Sequence, residues 1–156
     1  MDGVALLLAK GVDVSARTLG EATPLMYACQ SGNVEVVRQL LAAGAEVFAV
    51  DSRGRNAMHA AAVGGSAAIV AELAKVGAAG DEPVWLHRDS NGFLSLHVAV
   101  QYNQADVVAA LLKLPNAPHG EPAVATADAL KRTPLHWAAQ KGERRMTMLS
   151  RHGALC

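Results

Sequence analysis

Residues 133–142 read TPLHWAAQKG, and close copies of this stretch occur at three earlier places in the chain. The copies are TPLMYACQSG at 23–32, NAMHAAAVGG at 56–65 and LSLHVAVQYN at 94–103. Successive copies begin 33, 38 and 39 residues apart, and a period in this range is typical of repeat proteins built from stacked units. Gly11 lies 33 residues before Gly44, which closes the first copy. The sequence therefore predicts four repeats and an N-terminal half repeat.

The start of each copy has the residues of a helix N-terminus. Thr23, Asn56 and Thr133 can accept hydrogen bonds from amides of the first helical turn, and two of them precede a proline, which suits the first helical position. Leu94–Ser95 replaces Thr–Pro in the third copy, which predicts a weaker cap there. Each predicted helix then ends at a residue type that tolerates a left-handed backbone: Gly32, Gly65, Asn103 and Gly142.

A second helix is predicted after each of these ends. Apolar residues follow at helical spacing, as at Val36, Val37, Leu40 and Leu41. A glycine closes the second helix in three copies: Gly44, Gly77 and Gly153. Because such a helix pair cannot bury its apolar face alone, the units have to stack against one another.

These repeats resemble the ankyrin repeat family. The resemblance rests on TPLH at 133–136, on its relatives in the other copies and on the Gly-Ala pairs that follow the second helices. It also rests on an aspartate five residues before the cap in three copies: Asp51, Asp89 and Asp128. The resemblance covers almost the whole chain. It implies an all-α ankyrin-repeat solenoid of stacked helix-turn-helix units with β-hairpin-like connecting loops.

The chain departs from the family pattern at a few positions. Met26 replaces the histidine in the first copy, and Glu21 and Lys131 stand where the family favours glycine. The predicted parts of a single domain, 1–156, are a half repeat at 1–17, repeats at 18–50, 51–88 and 89–127, and a terminal repeat at 128–156.

Two insertions lengthen the later repeats, at 78–88 and 115–127. Insertions on one face of a solenoid are candidates for recognition. Trp85 lies in the first of them. An exposed tryptophan is a typical interface anchor, but it can equally cover the base of its own loop, and the sequence leaves both alternatives open.

Overall charge favours no class of partner, because 14 basic residues balance 14 acidic ones. Residues 128–156, however, carry six basic side chains against two acidic ones. No aromatic residues interleave with this basic cluster as base stacking requires, so we do not expect nucleic acid as a partner. The two cysteines form no disulfide framework, and neither a signal peptide nor a membrane span is evident. The expectation is a cytoplasmic or otherwise intracellular protein, monomeric by itself and not inserted in a membrane.

Three histidines recur at one repeat position: His59, His97 and His136. Successive helices in a stack lie about 8–10 Å apart, too far for their side chains to share one metal ion at about 2.0–2.1 Å. A histidine at the third helical position can instead bond back to the cap residue. No phosphate-binding loop or nucleophile elbow occurs either, so we predict no enzyme, no cofactor and no metal. Cys29 is predicted to pack in the core, as are Tyr27 and Trp137.

The resemblance implies binding through the concave face, which first helices and loop tips form. Mapping those positions onto this sequence gives the candidate partner-binding residues Arg53, Arg55, Phe93, Gln101, Tyr102, Arg132, Gln140 and Lys141, and Trp85 is added from the insertion. The predicted function is a non-catalytic protein–protein interaction module, an adaptor or regulatory subunit whose partner is a protein. Two alternatives stay open: binding of an anionic polymer or membrane surface through the basic C-terminal repeat, and a regulatory region of a larger enzyme or channel.

Overall fold

The computed structural model describes residues 3–78, 82–115 and 122–141. These residues form eight α-helices and no β-strand. The helices are α1 (Gly3–Ala9), α2 (Pro24–Ser31), α3 (Val34–Ala42), α4 (Ala57–Gly64), α5 (Ala67–Val76), α6 (Ser95–Gln101), α7 (Ala105–Leu112) and α8 (Pro134–Gln140). None of the described helices is long and apolar enough to span a bilayer.

The helices are arranged in two layers. The first helices of the repeats, α2, α4, α6 and α8, contact one another in that order. The second helices, α1, α3, α5 and α7, form the other layer in the same way. Within each repeat the two helices also pack together, as α2 does with α3. The all-α solenoid predicted from the repeats is confirmed.

Two of the three predicted side-chain caps are present in the structure, whereas Thr133 makes no side-chain cap hydrogen bond at the start of α8. Thr23 Oγ1 accepts from the amide of Met26 (3.3 Å), and Asn56 Oδ1 accepts from the amide of His59 (3.2 Å). Leu94 offers no side-chain acceptor at the start of α6, so this third cap is indeed the weaker one. Its own amide donates instead to Nδ1 of His97 (3.1 Å).

The predicted helix ends are also present within the described residues. Gly32, Gly65 and Asn103 adopt left-handed backbone angles, with φ of 75°, 79° and 59°. Gly142 and Gly153 lie outside the described residues. Gly77 closes α5 with a φ of −95°, so its role is not conformational. A Cβ there would overlap Cγ1 of Val84, and the missing side chain lets the first insertion pack against α5.

Four loops precede the first helices, at residues 18–22, 51–55, 89–93 and 128–132, and they repeat one backbone conformation. Glu21 and Lys131 adopt the same left-handed φ, 61° and 62°, as the glycines at their position in the other two loops. Each of the last three loops donates one backbone hydrogen bond to the loop before it. These bonds run from Ser52 N to Gly20 O, from Ser90 N to Arg53 O and from Ala129 N to Asn91 O, each 3.0 Å long.

Two aromatic residues that were expected in the core differ from that expectation: Tyr27 is exposed, and Trp137 is only partly buried. Tyr27 was expected in the core, but 58% of its surface is exposed. It borders an apolar groove of about 500 Å³ between α1 and α2, because no first helix precedes α2 among the described residues. Trp137 is half-buried. The tryptophan that does enter the core is Trp85, which is 5% exposed.

The described part of the first insertion, residues 82–88, packs inward through Val84 and Trp85. Val84 is fully buried, and its carbonyl oxygen accepts from Nδ2 of Asn56 (2.8 Å). Trp85 Nε1 donates to the carbonyl oxygen of Pro115 (3.0 Å). Of the two roles left open for Trp85, the structure therefore supports the cover of the loop's own base, and its place among the partner-binding residues needs correction.

Gly64 holds α2 and α4 close together. A Cβ at this position would lie 2.5 Å from the carbonyl oxygen of Cys29 and 2.6 Å from that of Gln30. Both atoms belong to backbone, which cannot rotate away. The mapping of exposed family positions that gave the candidate partner-binding residues also includes Gly64 as an exposed position, whereas the structure gives it a packing role.

We predict that Gly64→Ala lowers stability by about 1–2 kcal/mol. Overpacking costs about 1–3 kcal/mol, which exceeds the gain of about 1 kcal/mol expected for alanine over glycine in a helix. Chemical denaturation of the full chain measures the change. Gly20→Ala is the matched control, because its nearest non-neighbouring atoms would lie 3.9 Å from the new Cβ. A stabilised Gly64→Ala variant would contradict the close contact.

Candidate partner-binding surface

The four loops and the first helices flank one side of the solenoid, which we call the loop face. A groove of about 100 Å³ shows the arrangement, since both loops and helices line it. Asp51 and Arg55 come from the second loop, while Tyr27, Gln30 and Val63 come from α2 and α4. The loop face contains the candidate residues other than Trp85.

A carboxylate at the start of three loops fixes their shape. Asp51 Oδ1 accepts from the amides of Arg53 and Arg55, both at 2.9 Å. Asp89 and Asp128 make the equivalent pairs of bonds to the amides two and four residues later, at 2.8–2.9 Å. In the first loop, Thr18 Oγ1 accepts from the amide of Ala22 (3.2 Å). These side chains satisfy loop amides that would otherwise face the interior unpaired.

Two arginines bind the second oxygen of these carboxylates. Arg55 donates to Asp51 Oδ2 at 2.7 and 2.9 Å, and Arg132 donates to Asp128 Oδ2 at 2.9 Å. Burial acts to raise the pKa of both aspartates, but the hydrogen bonds from the arginines and the loop amides outweigh it and hold each pKa below its ordinary value. Both arginines therefore shape the loops in which they lie.

An aromatic cluster joins the last two loops. Phe93 stacks on His97, with ring centroids 5.8 Å apart, and meets Trp137 edge to face at 5.5 Å. The guanidinium of Arg132 lies 4.2 Å from the centroid of the Trp137 ring, a cation–π distance. Trp137 Nε1 also donates to Asp128 (3.2 Å). Phe93 and Arg132 are consequently half-buried and held in place.

The recurring histidines have structural roles. His59 Nε2 donates to the carbonyl oxygen of Phe93 in the next repeat (2.8 Å). His97 Nδ1 and His136 Nδ1 accept from the amides of their cap residues, both at 3.1 Å. This is the bond back to the cap that the sequence predicts. No group of three or more metal-ligating side chains occurs within the described ranges.

Sequence reasoning missed two arginines that tie neighbouring loops together. Arg17 donates to the carbonyl oxygen of Val50 (2.9 Å), and Arg88 donates to that of Ala127 (2.7 Å). Each lies immediately before the first residue of its loop, and each bonds to the equivalent residue of the next repeat. Their shared repeat position was a usable signal.

The candidate residues differ in exposure. Arg53, Tyr102, Gln140 and Lys141 are exposed, and Tyr102 shows 53% of its surface. The half-buried candidates are Arg55, Phe93, Gln101 and Arg132. Lys131, which the sequence mapping did not select, is exposed on the same face. The exposed set therefore extends from the second loop to the end of α8.

Comparison with known proteins agrees with this geometry. A family model described as ankyrin repeats in three copies matches residues 1–84 and 43–120, most of the chain. The chain belongs to the ankyrin repeat family. Ankyrin repeats are generally protein–protein interaction modules, and the structure places the family's loops and first helices on the loop face.

Several relatives contain a stretch similar to this chain. Inversin of Mus musculus is 36% identical over 117 residues, which cover 75% of this chain and 10% of inversin. Glycerophosphocholine phosphodiesterase gde1 of Schizosaccharomyces pombe is 44% identical over 85 residues, covering 54% of this chain and 8% of that protein. Probable E3 ubiquitin-protein ligase XBOS33 of Oryza sativa subsp. japonica is 46% identical over 63 residues, which cover 40% of this chain and 12% of that protein. The matches span about a tenth of these relatives.

Ankyrin repeat domains are non-catalytic modules, and the enzymes among these relatives carry ankyrin regions within longer chains. The catalytic activities that their names describe belong to whole proteins roughly ten times longer than the matched stretch.

The environment of Cys29 does not support reactive thiol chemistry. Burial raises the pKa of its thiol to about 12, so the nucleophilic thiolate is scarce near neutral pH.

We predict that stability falls as the pH is lowered from 6.5 to 4. Burial holds the pKa of His97 at about 4 in the folded chain, against an ordinary value of 6.5, and it also lowers the pKa of His59. The unfolded chain therefore binds protons first, and full titration of His97 costs about 3 kcal/mol. Denaturant titrations at several pH values measure this slope.

His97→Gln is expected to flatten the slope in that window. Asp51 and Asp128 do not contribute to the slope of stability against pH in this window, because their ordinary pKa is 3.8 and their pKa in the folded chain is lower. Their contribution is present above pH 3.8 and is lost only below it. Identical slopes for the variant and the parent protein between pH 6.5 and 4.5 would exclude the assignment to His97.

Proposed function

We propose that this chain is a non-catalytic adaptor or regulatory module that binds a partner protein on its loop face. The observation that supports it best is the exposure of Arg53 and Tyr102 on one face of the solenoid. Arginine and tyrosine are among the residue types that dominate binding energy at protein interfaces. Gln140 and Lys141 extend the same face at the end of α8.

The loops beneath these side chains are fixed before a partner arrives. The amide of Arg53 donates to Asp51, while its carbonyl oxygen accepts from Ser90 of the next loop. Its backbone is thereby held on both sides. A surface that is already ordered loses little conformational entropy on binding, and more of the contact energy appears as affinity.

The half-buried candidates support the site from below. Arg55 and Arg132 each present one edge to solvent but are bonded to a buried aspartate. The sequence mapping suggests that Arg55→Ala would weaken binding with little effect on the melting temperature. Given its two bonds to Asp51, we instead expect the loop itself to be destabilised, so Arg53 is the better residue to test.

The other two predicted functions have less support. The basic cluster at Arg144, Arg145 and Arg151, on which binding of an anionic polymer or membrane surface was predicted, lies outside the described residues. A regulatory region of a larger enzyme is compatible with the loop-face proposal, since a partner domain can lie in the same polypeptide. The relatives named as a phosphodiesterase and a ubiquitin ligase support this alternative of a regulatory region.

We predict that Tyr102→Ala and Arg53→Ala each weaken partner binding by about tenfold without a measurable change in melting temperature. Both side chains are exposed, and no side-chain hydrogen bond or ion pair joins either of them to another described residue. Isothermal titration with a partner obtained by affinity purification gives the affinities. Lys113→Ala, on the second-helix layer, is the control and should bind normally.

A photo-crosslinking residue locates the surface independently of any affinity. With benzoylphenylalanine at position 102, we expect cross-links to partner proteins in extracts of the source cells, and mass spectrometry identifies them. The same residue at position 113, beyond the end of α7, should give none. Cross-links formed from position 113 and not from position 102 would move the binding site to the second-helix layer.

A further inference from the structure

The charges of the described residues are divided between the two sides of the solenoid. The loops, the residues directly before them and the C-cap of α8 carry seven cationic side chains and four carboxylates, a net charge of +3: Arg17, Arg53, Arg55, Arg88, Lys131, Arg132 and Lys141 against Glu21, Asp51, Asp89 and Asp128. The second helices and the segments after them carry four cations and six carboxylates, a net charge of −2: Lys10, Arg38, Lys75 and Lys113 against Asp13, Glu35, Glu46, Glu72, Glu82 and Asp106.

The carboxylates among these residues are less accessible to a partner than several of the cations. Three of the four are buried, with exposures of 8%, 9% and 4% at Asp51, Asp89 and Asp128. Their oxygens accept from loop amides, and two of them also pair with Arg55 and Arg132. Glu21, the fourth, lies 3.6 Å from the guanidinium of Arg17, which also lies 4.0 Å from Glu46. Exposed cations that form no such ion pair, such as Arg53 and Lys131, are therefore what an approaching molecule meets.

We propose that the partner of the loop face is an acidic polypeptide segment whose carboxylates pair with Arg53 and Lys131. This inference rests on the proposed function and names the chemistry of its ligand. Both side chains are exposed, and neither forms an ion pair within the described parts of the chain. Their backbones are fixed, since the amide of Arg53 donates to Asp51 and that of Lys131 to the carbonyl oxygen of Asp128.

Lys131 is held in a conformation that favours glycine. Its φ is 62°, which costs a residue with a Cβ about 1–2 kcal/mol, and Gly54 and Gly92 occupy the same position in the two preceding loops. Glu21, the other exception, already has a cationic neighbour in Arg17. The strained position thus presents an unpaired ammonium group at the edge of the loop face, where a ligand carboxylate can reach it.

The spacing of the two cations defines the ligand further. Arg53 and Lys131 belong to the second and fourth loops, which are two repeats apart, or about 16–20 Å if each repeat adds one helix spacing of about 8–10 Å. An extended chain advances about 3.3 Å per residue. Two acidic residues about five or six positions apart would therefore reach both cations. Ser90 and Asn91, exposed and uncharged, lie on the loop between them.

A nucleic acid fits this face less well. Duplex DNA carries a negative charge about every 1.7 Å along its axis, whereas the unpaired cations here lie on separate loops. Stacking of bases also requires exposed aromatic rings beside the cations, but Phe93, the one aromatic residue in the four loops, is engaged with Trp137. A segment with a few spaced carboxylates matches the face better than a continuous polyanion.

The test selects ligands of the full chain from random sequences. Random peptides displayed on phage are selected against the protein, and binding of the recovered peptides is measured by fluorescence polarisation. We expect the recovered peptides to carry acidic residues spaced about five or six apart. Their affinity should fall as salt rises from about 50 to about 300 mM, because ions screen exposed charge pairs.

Charge reversal provides the matched comparison. The double variant Arg53→Glu/Lys131→Glu should weaken peptide binding by about tenfold or more. Lys10→Glu/Lys113→Glu changes the net charge by the same amount on the other side of the solenoid and should bind as the parent protein does. Thermal melts of both variants establish that they are folded.

The outcomes separate the ligand chemistry from the location of the site. Recovery of neutral or basic peptides that depend on Tyr102 but not on Arg53 and Lys131 would overturn the acidic ligand and leave the loop face in place. Peptides that depend on none of these residues, or a selection that yields no binder, would overturn both. Tighter binding of a polyuridine RNA through Arg53 and Lys131 would replace the polypeptide with an anionic polymer.

Discussion

Each helix pair in this chain can bury its apolar face only against the next pair, and this constraint organises the molecule. Leu25, Met58, Leu73 and Leu96, which lie in three successive repeats, are all fully buried. Hydrophobic contact alone would allow neighbouring repeats to slide. Hydrogen bonds between neighbouring repeats prevent this, as when His59 Nε2 donates to the carbonyl oxygen of Phe93 and Gln104 Nε2 donates to that of Val63 (2.9 Å). Stacking provides the stability, and the polar bonds set the register.

The same polar bonds determine the electrostatics of the binding surface. A loop that ends in a left-handed turn leaves amides pointing inward, and an aspartate at its start satisfies two of them. The carboxylate that does this is buried and is paired with loop amides and, in two loops, with an arginine, so it cannot contact a partner. Exposed cations on the same loops, such as Arg53, then remain uncompensated. Loop architecture and partner chemistry are therefore linked, because the aspartates bond within the loops whereas cations such as Arg53 are exposed to solvent.

The repeat pattern in the sequence was sufficient to predict the helices and their ends, since each depends on local chemistry. Thr23 and Asn56 cap because their oxygens reach the first turn, and Asn103 can adopt a positive φ as glycine does. Tyr27 and Gly64 were misjudged because their surroundings come from other repeats. The exposure of Tyr27 depends on what precedes α2, and the packing role of Gly64 depends on how closely α2 approaches α4. The loop face followed from the family pattern, but its charge balance required knowing which carboxylates are buried.

The described residues of the first insertion show how a longer repeat can be accommodated by packing against the solenoid. An insertion of this length could project into solvent, yet Val84 and Trp85 fill the space beside α5, where Gly77 leaves room for them. The indole of Trp85 then bonds to Pro115, at the point where the second insertion begins. Ser95 Oγ also donates to the carbonyl oxygen of Trp85 (3.3 Å), which connects the insertion to the poorly capped start of α6. These contacts therefore help to stabilise the repeat that lacks a Thr–Pro cap.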